Sequence, residues 1–524
     1  MTSTSAAALV VALSMTGVAQ AGPVGSGLGH GYQNGDVRIS TSRGPEGDFL
    51  LVDPGRGGLQ VRNMANDYFR GWGFGKPSAD ADDVWGNGSK DDRQTADVDA
   101  YVAAARTWDY FLQQHGRRGI QDDGTGPRLF TDVGPPDGEF FAQYDPECGC
   151  MLLGPAAGGK AAWNATDVVA HEMTHGITGM TAGLDLNGEA GALNESTSDI
   201  FATLVEFSAN SAKDRPDYTI GEGVGDKPLR YMDDPTKDGA SKGCWVPGVS
   251  DGDQPNHQIG GISNKFFYQL AVGSGQSAWG NSPTCGGAPA VTGIGNDKAG
   301  KIWYRALTRY LVPNSNFSGA RAATLRAATD LYGANSTETR TVAAAWLAVG
   351  VDGSDPVPPA PQAPSLKWVN PQSSAVGAEV MVRLRAPDPQ RQRVTFTATG
   401  LPPGLTLNAA TGVVTGKATR QGTYEVTFTA ADCDGNTSRR EARGDTAPSW
   451  APPPPGRRRP GADHTGPGGR RAGERAASVV ALKPLTGHDM TDAEPAGLDA
   501  GALDVCSTGS RSTTASRRSI GAPP

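Results

Sequence analysis

Two histidines four residues apart constrain this 524-residue chain more than any other feature. In His171-Glu172-Met173-Thr174-His175 the spacing puts both imidazoles on one face of a helix, about 40° apart around the axis and about 6 Å apart along it. The pattern predicts a helix over 165–180, starting near Asn164 or Thr166, either of which can cap it. Two neutral imidazoles so placed suit Zn2+, and the glutamate between them suits a general base. The competing explanation is an amphipathic helix that carries two surface histidines. The next helix opens with Gly191-Ala192-Leu193-Asn194-Glu195 and reaches Asp199. Glu195 and Asp199 share a face at i and i+4, so Glu195 can ligate the metal while Asp199 accepts a hydrogen bond from a ligating imidazole. Taken alone, those carboxylates read as an acidic helix start favoured by the dipole.

Composition narrows the function classes. With 72 glycines and 38 prolines, about a fifth of the chain, long loops or unfolded stretches are expected beside two to four domains. A net charge of −8 argues against nucleic acid as the main partner. No apolar run approaches 18 residues except near the N-terminus, which excludes a multi-span membrane protein. Residues 6–19 are mostly apolar and precede Ala19-Gln20-Ala21, a small-x-small cleavage pattern without a basic n-region, so 1–21 is expected to be a signal peptide or a precursor remnant. Six cysteines suit an oxidising, extracellular setting. Cys244 and Cys285 flank a glycine-rich stretch and can close one loop, Cys148 and Cys150 are too close for an easy bridge, and spacing alone does not fix connectivity.

Pattern changes divide the chain. Residues 22–163 are rich in Gly and Asp with short alternating apolar runs, a β-rich lobe interrupted by one helix over 97–115 with Val98, Tyr101, Val102, Ala105, Trp108 and Leu112 at helical spacing. Residues 164–351 are helical, with helices expected over 165–180, 190–211, 262–273, 296–311, 317–331 and 337–348. A Pro-rich linker, 352–364, leads to an alternating segment, 365–438, that predicts a small β-sandwich. From 439 to 524 the composition turns to Pro, Gly, Arg and Ala, which predicts a disordered low-complexity tail, and the last strand of the sandwich looks eroded, as in a degenerate or frame-shifted end.

Asp167-Val-Val-Ala-His-Glu-Met-Thr-His175, Gly191-Ala-Leu-Asn-Glu195 with Asp199, Glu206-Phe207, Gly293-Ile-Gly-Asn-Asp-Lys-Ala-Gly-Lys-Ile-Trp-Tyr and Ala327-Ala-Thr-Asp-Leu-Tyr-Gly333 together closely resemble the thermolysin family of zinc metalloendopeptidases over roughly residues 22–351. The family is itself the reference example of a His2Glu catalytic zinc site. The resemblance implies an α+β, thermolysin-like fold, with the zinc cleft between a β-rich N-terminal lobe and an all-α C-terminal lobe. It implies His171, His175 and Glu195 as zinc ligands, Glu172 as general base, Asp199 behind the ligands, and His257, in Asn256-His257-Gln-Ile-Gly-Gly, as donor to the oxyanion. Asp253 would orient His257, although the family's orienting Asp falls one residue earlier, at Gly252. Arg230 matches the arginine that binds the substrate carbonyl, and Ala142 matches a substrate-aligning position. Val168, Ile220 and Leu229 match the apolar wall of the primed-side pocket. Asp167, Glu206, Asp217 and Glu222 match the main calcium site; Thr219 stands where doubly loaded members carry a glutamate, so one Ca2+ is expected there.

Three departures stand out. Leu186 occupies the place of a tyrosine that assists the distal histidine, Phe141 replaces a backbone-binding asparagine, and mature-like sequence begins near Gly22, so that the family's long propeptide is expected to be missing, with folding assisted differently or the chain start wrong. Residues 365–438 resemble the immunoglobulin-like, cadherin-like modules appended to secreted bacterial enzymes, through Gly400-Leu-Pro-Pro-Gly-Leu-Thr-Leu-Asn408 and Thr411-Gly-Val-Val-Thr-Gly416, and serve either binding or spacing and stability. The expected function is a secreted, monomeric zinc endopeptidase. It would hydrolyse proteins and peptides with a zinc-activated water, on the amino side of bulky hydrophobic residues, with no nucleic acid or membrane partner. The alternative is a secreted binding protein that keeps the fold but has lost activity through Leu186, Phe141 and an absent propeptide.

Overall fold

The structure, a computed structural model, describes residues 24–64, 77–134, 142–146, 149–155, 162–252, 254–359, 363–367, 372–390 and 392–447. The N-terminal lobe holds two five-stranded sheets. One runs in the order Ala79–Asp80, Phe49–Leu50, Gly35–Arg43, Val24–Gly31, Val84–Trp85. The other runs Val52–Asp53, Leu59–Asn63, Arg128–Thr131, Cys150–Leu153, Ala142–Asp145, and its last strand, at the edge, borders the cleft.

Helix α1 (Arg93–His115) packs against both sheets. It starts where the Asp92 carboxylate accepts from Thr95 N and stops at Gly116, whose φ of 68° is left-handed and closes the last turn. Of the apolar residues expected to face inward, Val98, Tyr101, Val102, Ala105 and Trp108 are buried, whereas Leu112 in the last turn is 39% exposed.

The C-terminal lobe is built from α2 (Thr166–Gly179), α3 (Gly188–Ala209), α4 (Asn256–Ala271), α5 (Asn296–Arg309), α6 (Phe317–Tyr332) and α7 (Thr337–Ala348). Neither expected cap starts α2: its N-cap is Ala165, with no side-chain bond, while Asn164 donates instead to Ala96 O of α1 at 2.9 Å. The start of α4 also differs from expectation. The sequence pattern starts this helix at 262, whereas α4 starts at Asn256 and runs through Gly260-Gly261. In the fold these glycines allow close approach: a Cβ at Gly260 would stand 3.0 Å from Ala192 O of α3, and one at Gly261 2.6 Å from Lys242 O. Both lobes share one hydrophobic core, from Ile39 to Val351.

The C-terminal module has a separate core around Phe396, Phe428, Val414, Val426, Leu384 and Leu366. It is a sandwich of a four-stranded sheet (Gln372–Ala375, Thr437–Ala447, Gly422–Ala431, Thr395–Thr399) and a three-stranded one (Glu379–Arg383, Val413–Lys417, Leu405–Asn408). Here the eroded last strand is corrected. Thr437–Ala447 is continuous past 438, paired antiparallel with Gly422–Ala431 and parallel with Gln372–Ala375. The backbone ladder carries it on both sides, so the charges at Arg439, Arg440 and Glu441 do not end it. The proposed signal segment and the tail beyond 447 lie outside the described residues. No helix among the described residues is long and apolar enough to cross a membrane.

Candidate metal centre

Helices α2 and α3 pack side by side and bring their polar faces together. His171 Nε2 and His175 Nε2 are 3.0 Å apart, and they lie 3.3 Å and 3.4 Å from Glu195 Oε2. Donors about 2.1 Å from a tetrahedral zinc lie about 3.4 Å from one another, so these separations fit one ion. Glu195 Oε2 is buried where the imidazole nitrogens converge, as suits an atom aimed at a cation. His257 Nε2, from the first turn of α4, reaches the same oxygen at 2.9 Å, and its ring lies parallel to that of His171 at 5.9 Å. His171, Glu195 and His257 thus also form a group able to hold a metal. The His257 side chain is half exposed, whereas His171 is buried.

The imidazoles are held from behind. Asp199 Oδ1 accepts from His171 Nδ1 at 2.8 Å, and Asn194 Oδ1 meets His175 Nδ1 at 2.9 Å. Each leaves Nε2 for the centre. Asp199 is fixed in turn by Arg230, through Nε at 2.8 Å and Nη2 at 2.7 Å, and by Asn264 Nδ2 at 2.8 Å. Burial works against the charged form of Asp199, but Arg230 and His171 hold its pKa below the usual carboxylate range. Burial likewise disfavours a charged His171, yet Asp199 and Glu195 outweigh it and push the pKa up to about 10. Glu195 is held well below its ordinary value, against its burial, by His175, His171 and His257. This field favours positive charge at the centre. Asn194 and Asn264 were given no role from sequence; the Asn-Glu pair at 194–195 was the available signal for the first, and Asn264 offered none.

Glu172 lies on the cleft side of α2, where its Oε2 accepts from Tyr144 N at 2.7 Å on the edge strand Ala142–Asp145. Ala142 begins that strand and packs with Val168 and Val224. Ile220 is buried in the main core, and Leu229 is 38% exposed, its side chain filling the space beside Gly221. Leu186 is 70% exposed just before α3, and its carbonyl accepts from Asn256 Nδ2 at 2.6 Å, next to His257. Asp253 and Phe141 lie outside the described residues.

A second cluster forms at the start of α2 and the end of α3. Asp167, Glu206 and Glu222 present carboxylate oxygens within 4.8 Å of one another. Asp167 accepts from Val168 N at 2.8 Å and from Gly221 N, whereas both oxygens of Glu206 and Oε2 of Glu222 are buried and make no hydrogen bond. Burial first, then Asp167 and Glu222, raises Glu206 well above its ordinary pKa, and burial with Asp167 and Asp217 raises Glu222 to about 8. Orphaned, buried, crowded carboxylates suit a hard cation with oxygen ligands. Asp217 falls outside this tight group; its Oδ1 accepts from Thr219 N at 2.6 Å and Thr219 Oγ1 at 2.8 Å. Asp214, which the sequence did not single out, lies close enough to Asp167 to be raised, with burial as the larger cause, to about 6.

Cys244 and Cys285 form a disulfide.

Comparison with known proteins gives concordant results. Residues 26–179 match the family described as thermolysin metallopeptidase, catalytic domain, and residues 182–351 match thermolysin metallopeptidase, alpha-helical domain. An Ig domain family matches residues 363–443. The chain is 42% identical over 371 residues to the transglutaminase-activating metalloprotease of Streptomyces mobaraensis, covering 69% of this chain and 47% of that protein. It is 41% identical over 269 residues to a bacillolysin of Bacillus caldolyticus, covering 49% and 45%. It is 40% identical over 269 residues to a thermolysin of Alicyclobacillus acidocaldarius subsp. acidocaldarius, again covering 49% and 45%. The chain spans about half the length of these curated relatives.

Proposed function

The chain belongs to the thermolysin family of metallopeptidases, and on that premise we propose that it is a secreted zinc endopeptidase. The observation that carries this reading is the meeting of His171 Nε2 and His175 Nε2 on Glu195 Oε2, at 3.3 Å and 3.4 Å, beside Glu172. His171, His175 and Glu195 would hold the zinc, with Asp199 and Asn194 fixing the imidazole tautomers. Bound there, zinc supplies a Lewis acid that polarises a carbonyl and acidifies water.

Glu172 would take the proton of the attacking water on one carboxylate oxygen and pass it to the leaving amine; Tyr144 N holds the other oxygen. His257 would donate to the oxyanion from the first turn of α4. Arg230 keeps Asp199 ionised and would face the substrate carbonyl from the same guanidinium. Val168, Leu229 and Ile220 would form the apolar wall that prefers a bulky residue on the amine side of the cleaved bond. Such a wall discriminates by only about 1–3 kcal/mol per methylene, so a broad substrate range follows. Asp167, Glu206 and Glu222, with Asp217 and Asp214 nearby, would hold one structural Ca2+. The Cys244–Cys285 disulfide supports export to an oxidising compartment, where the protein would act as a monomer.

The test is hydrolysis of casein and a furylacryloyl peptide by zinc-loaded protein, with and without 1,10-phenanthroline. Cleavage abolished by the chelator and restored by zinc is expected. Folded protein that binds one zinc per chain but cleaves neither substrate would point instead to the binding-protein alternative.

A further inference from the structure

The C-terminal module presents a polar face on which a lysine is buried, although the module's own core lies on the other side. Ser365 N donates to Pro387 O at 2.9 Å and Lys367 N to Arg385 O at 2.8 Å, an antiparallel pairing of extended segments. Side chains alternate along such a pair, so Ser365, Lys367 and Arg385 share one face and Leu366 takes the other. Leu366 is indeed in the module core, 1% exposed. Lys367 points away from that core and yet is only 5% exposed. Something outside the module covers it.

The cover is the catalytic unit. Lys367 Nζ lies over Gly183, 2.5 Å from where a Cβ would stand, and Ser365 Oγ and Gly179 O are 3.6 Å and 3.8 Å from the same point. Gly179 is the last residue of α2, and the chain turns back at Gly183, whose N donates to Thr178 O at 2.7 Å. The carbonyl end of a helix carries partial negative charge, and α2 has no basic residue of its own in its last turn. Lys367 supplies one from another domain. Among the described residues no carboxylate pairs with it, and its ammonium donates to Ser365 Oγ at 3.3 Å. Burial, with Arg440 nearby, lowers its pKa to about 8. On the same face Arg385 Nη2 donates to Asp122 O, 3.2 Å away in the loop after α1.

The connection between the units is also tied down. Asn316 caps α6 by accepting from Gly319 N at 2.8 Å, while its Nδ2 donates to Asp355 Oδ2 at 3.0 Å and Pro356 O at 2.9 Å. Asn314 Nδ2 donates to Pro359 O at 3.0 Å. The Pro-rich linker is thus bonded to the catalytic unit at Asp355, Pro356 and Pro359.

We propose that the Ser365–Lys367–Arg385 face is an intramolecular docking surface that seats the immunoglobulin-like module on the C-terminal turn of α2 and on Asp122, making the module a brace for the helix that carries His171, Glu172 and His175. Its occupant is this chain's own catalytic unit. The placement does not depend on whether that unit is active.

The test uses the full chain and three variants, Lys367→Met, Arg385→Ala and Lys367→Met/Arg385→Ala. Hydrogen exchange of the amides at 178–183 and small-angle X-ray scattering are measured for all four. Exchange at the end of α2 should quicken on the order of fivefold in Lys367→Met, in keeping with one lost charge at a helix terminus, and further in the double variant. The double variant should also scatter as a more extended particle. Arg385→Ala alone, which leaves the buried lysine in place, should give the same extension in part. Unchanged exchange at 178–183 together with unchanged scattering in all variants would overturn the brace. So would wild-type scattering that already requires a freely swinging module.

Discussion

Glu172 and Leu186 are the two residues on which the proposed chemistry turns. Glu172 is anchored from the edge strand, where its Oε2 accepts from Tyr144 N, and its charge acts on both imidazoles. Glu172→Gln keeps that acceptor and the ligands but removes the base. It should bind one zinc, read by elemental analysis, while kcat falls about 10²–10⁴-fold. Wild-type turnover with zinc bound would remove Glu172 from the mechanism. Leu186 is 70% exposed beside the turn that carries His257, and it cannot donate a hydrogen bond. Leu186→Tyr offers a second oxyanion donor, and kcat on a short peptide should rise about tenfold or more with little change in KM. A fall in kcat would show that the leucine is used as an apolar contact. Both residues were visible in the sequence. The difference between them was not: one spacing identified Glu172, while Leu186 mattered only through what a related family has in its place.

At the scale of elements, α2 and α3 were legible because their apolar period and polar motifs agree. Their ends were not. Asn164, a good cap by type, spends its side chain on Ala96 O, since a bond across to α1 was available once the lobes packed. The sequence pattern places a helix over 262–273, whereas α4 begins at Asn256 and includes Gly260-Gly261. The packing of α4 on α3 at Ala192 needs the lack of a Cβ at Gly260, and it brings His257 to Glu195. The carboxylate cluster joins the two ends of this helix pair to the 214–222 segment and yields a pH prediction. Glu222, at about 8, and Glu206, held higher than normal, keep protons in the folded metal-free state that the unfolded chain releases above about pH 4.5. Raised carboxylate pKa values therefore cost the metal-free protein stability as pH rises from about 4.5 to 8, by up to about 1.4 kcal/mol per pH unit for each such group. Calcium replaces those protons, so the rise in Tm on adding calcium to chelator-treated protein should be larger at pH 8 than at pH 6. An increment equal at both values, by calorimetry, would argue against these carboxylates as the ligands.

For the molecule as a whole, the main core of the catalytic unit, the separate core of the C-terminal module and the Cys244–Cys285 closure contribute to stability. The Cys244–Cys285 bridge spans 41 residues and ties the segment before α4 to the loop that follows the Gly275–Ser282 hairpin. Loop closure of that length is worth about 4 kcal/mol in the chain-entropy account. Cys244→Ser/Cys285→Ser should therefore unfold at clearly lower denaturant with the zinc site intact when folded; an unchanged midpoint would mean that the loop is ordered even in the unfolded ensemble. Sequence alone determined the family, the order of the domains, the HExxH helix, Glu195 and Asp199, because each rests on spacing within one element or on motifs whose side chains must sit together whatever the surroundings. Tertiary structure alone decided which groups serve them. Asn194 on His175, Asn264 and Arg230 on Asp199, Asp214 near the acidic cluster, the full last strand of the module and Lys367 over the end of α2 are all pairings between distant segments. A hydrogen bond or a helix-end charge fixes only the type of partner, and many residues of that type lie along the chain; the packing of the apolar faces selects which one arrives.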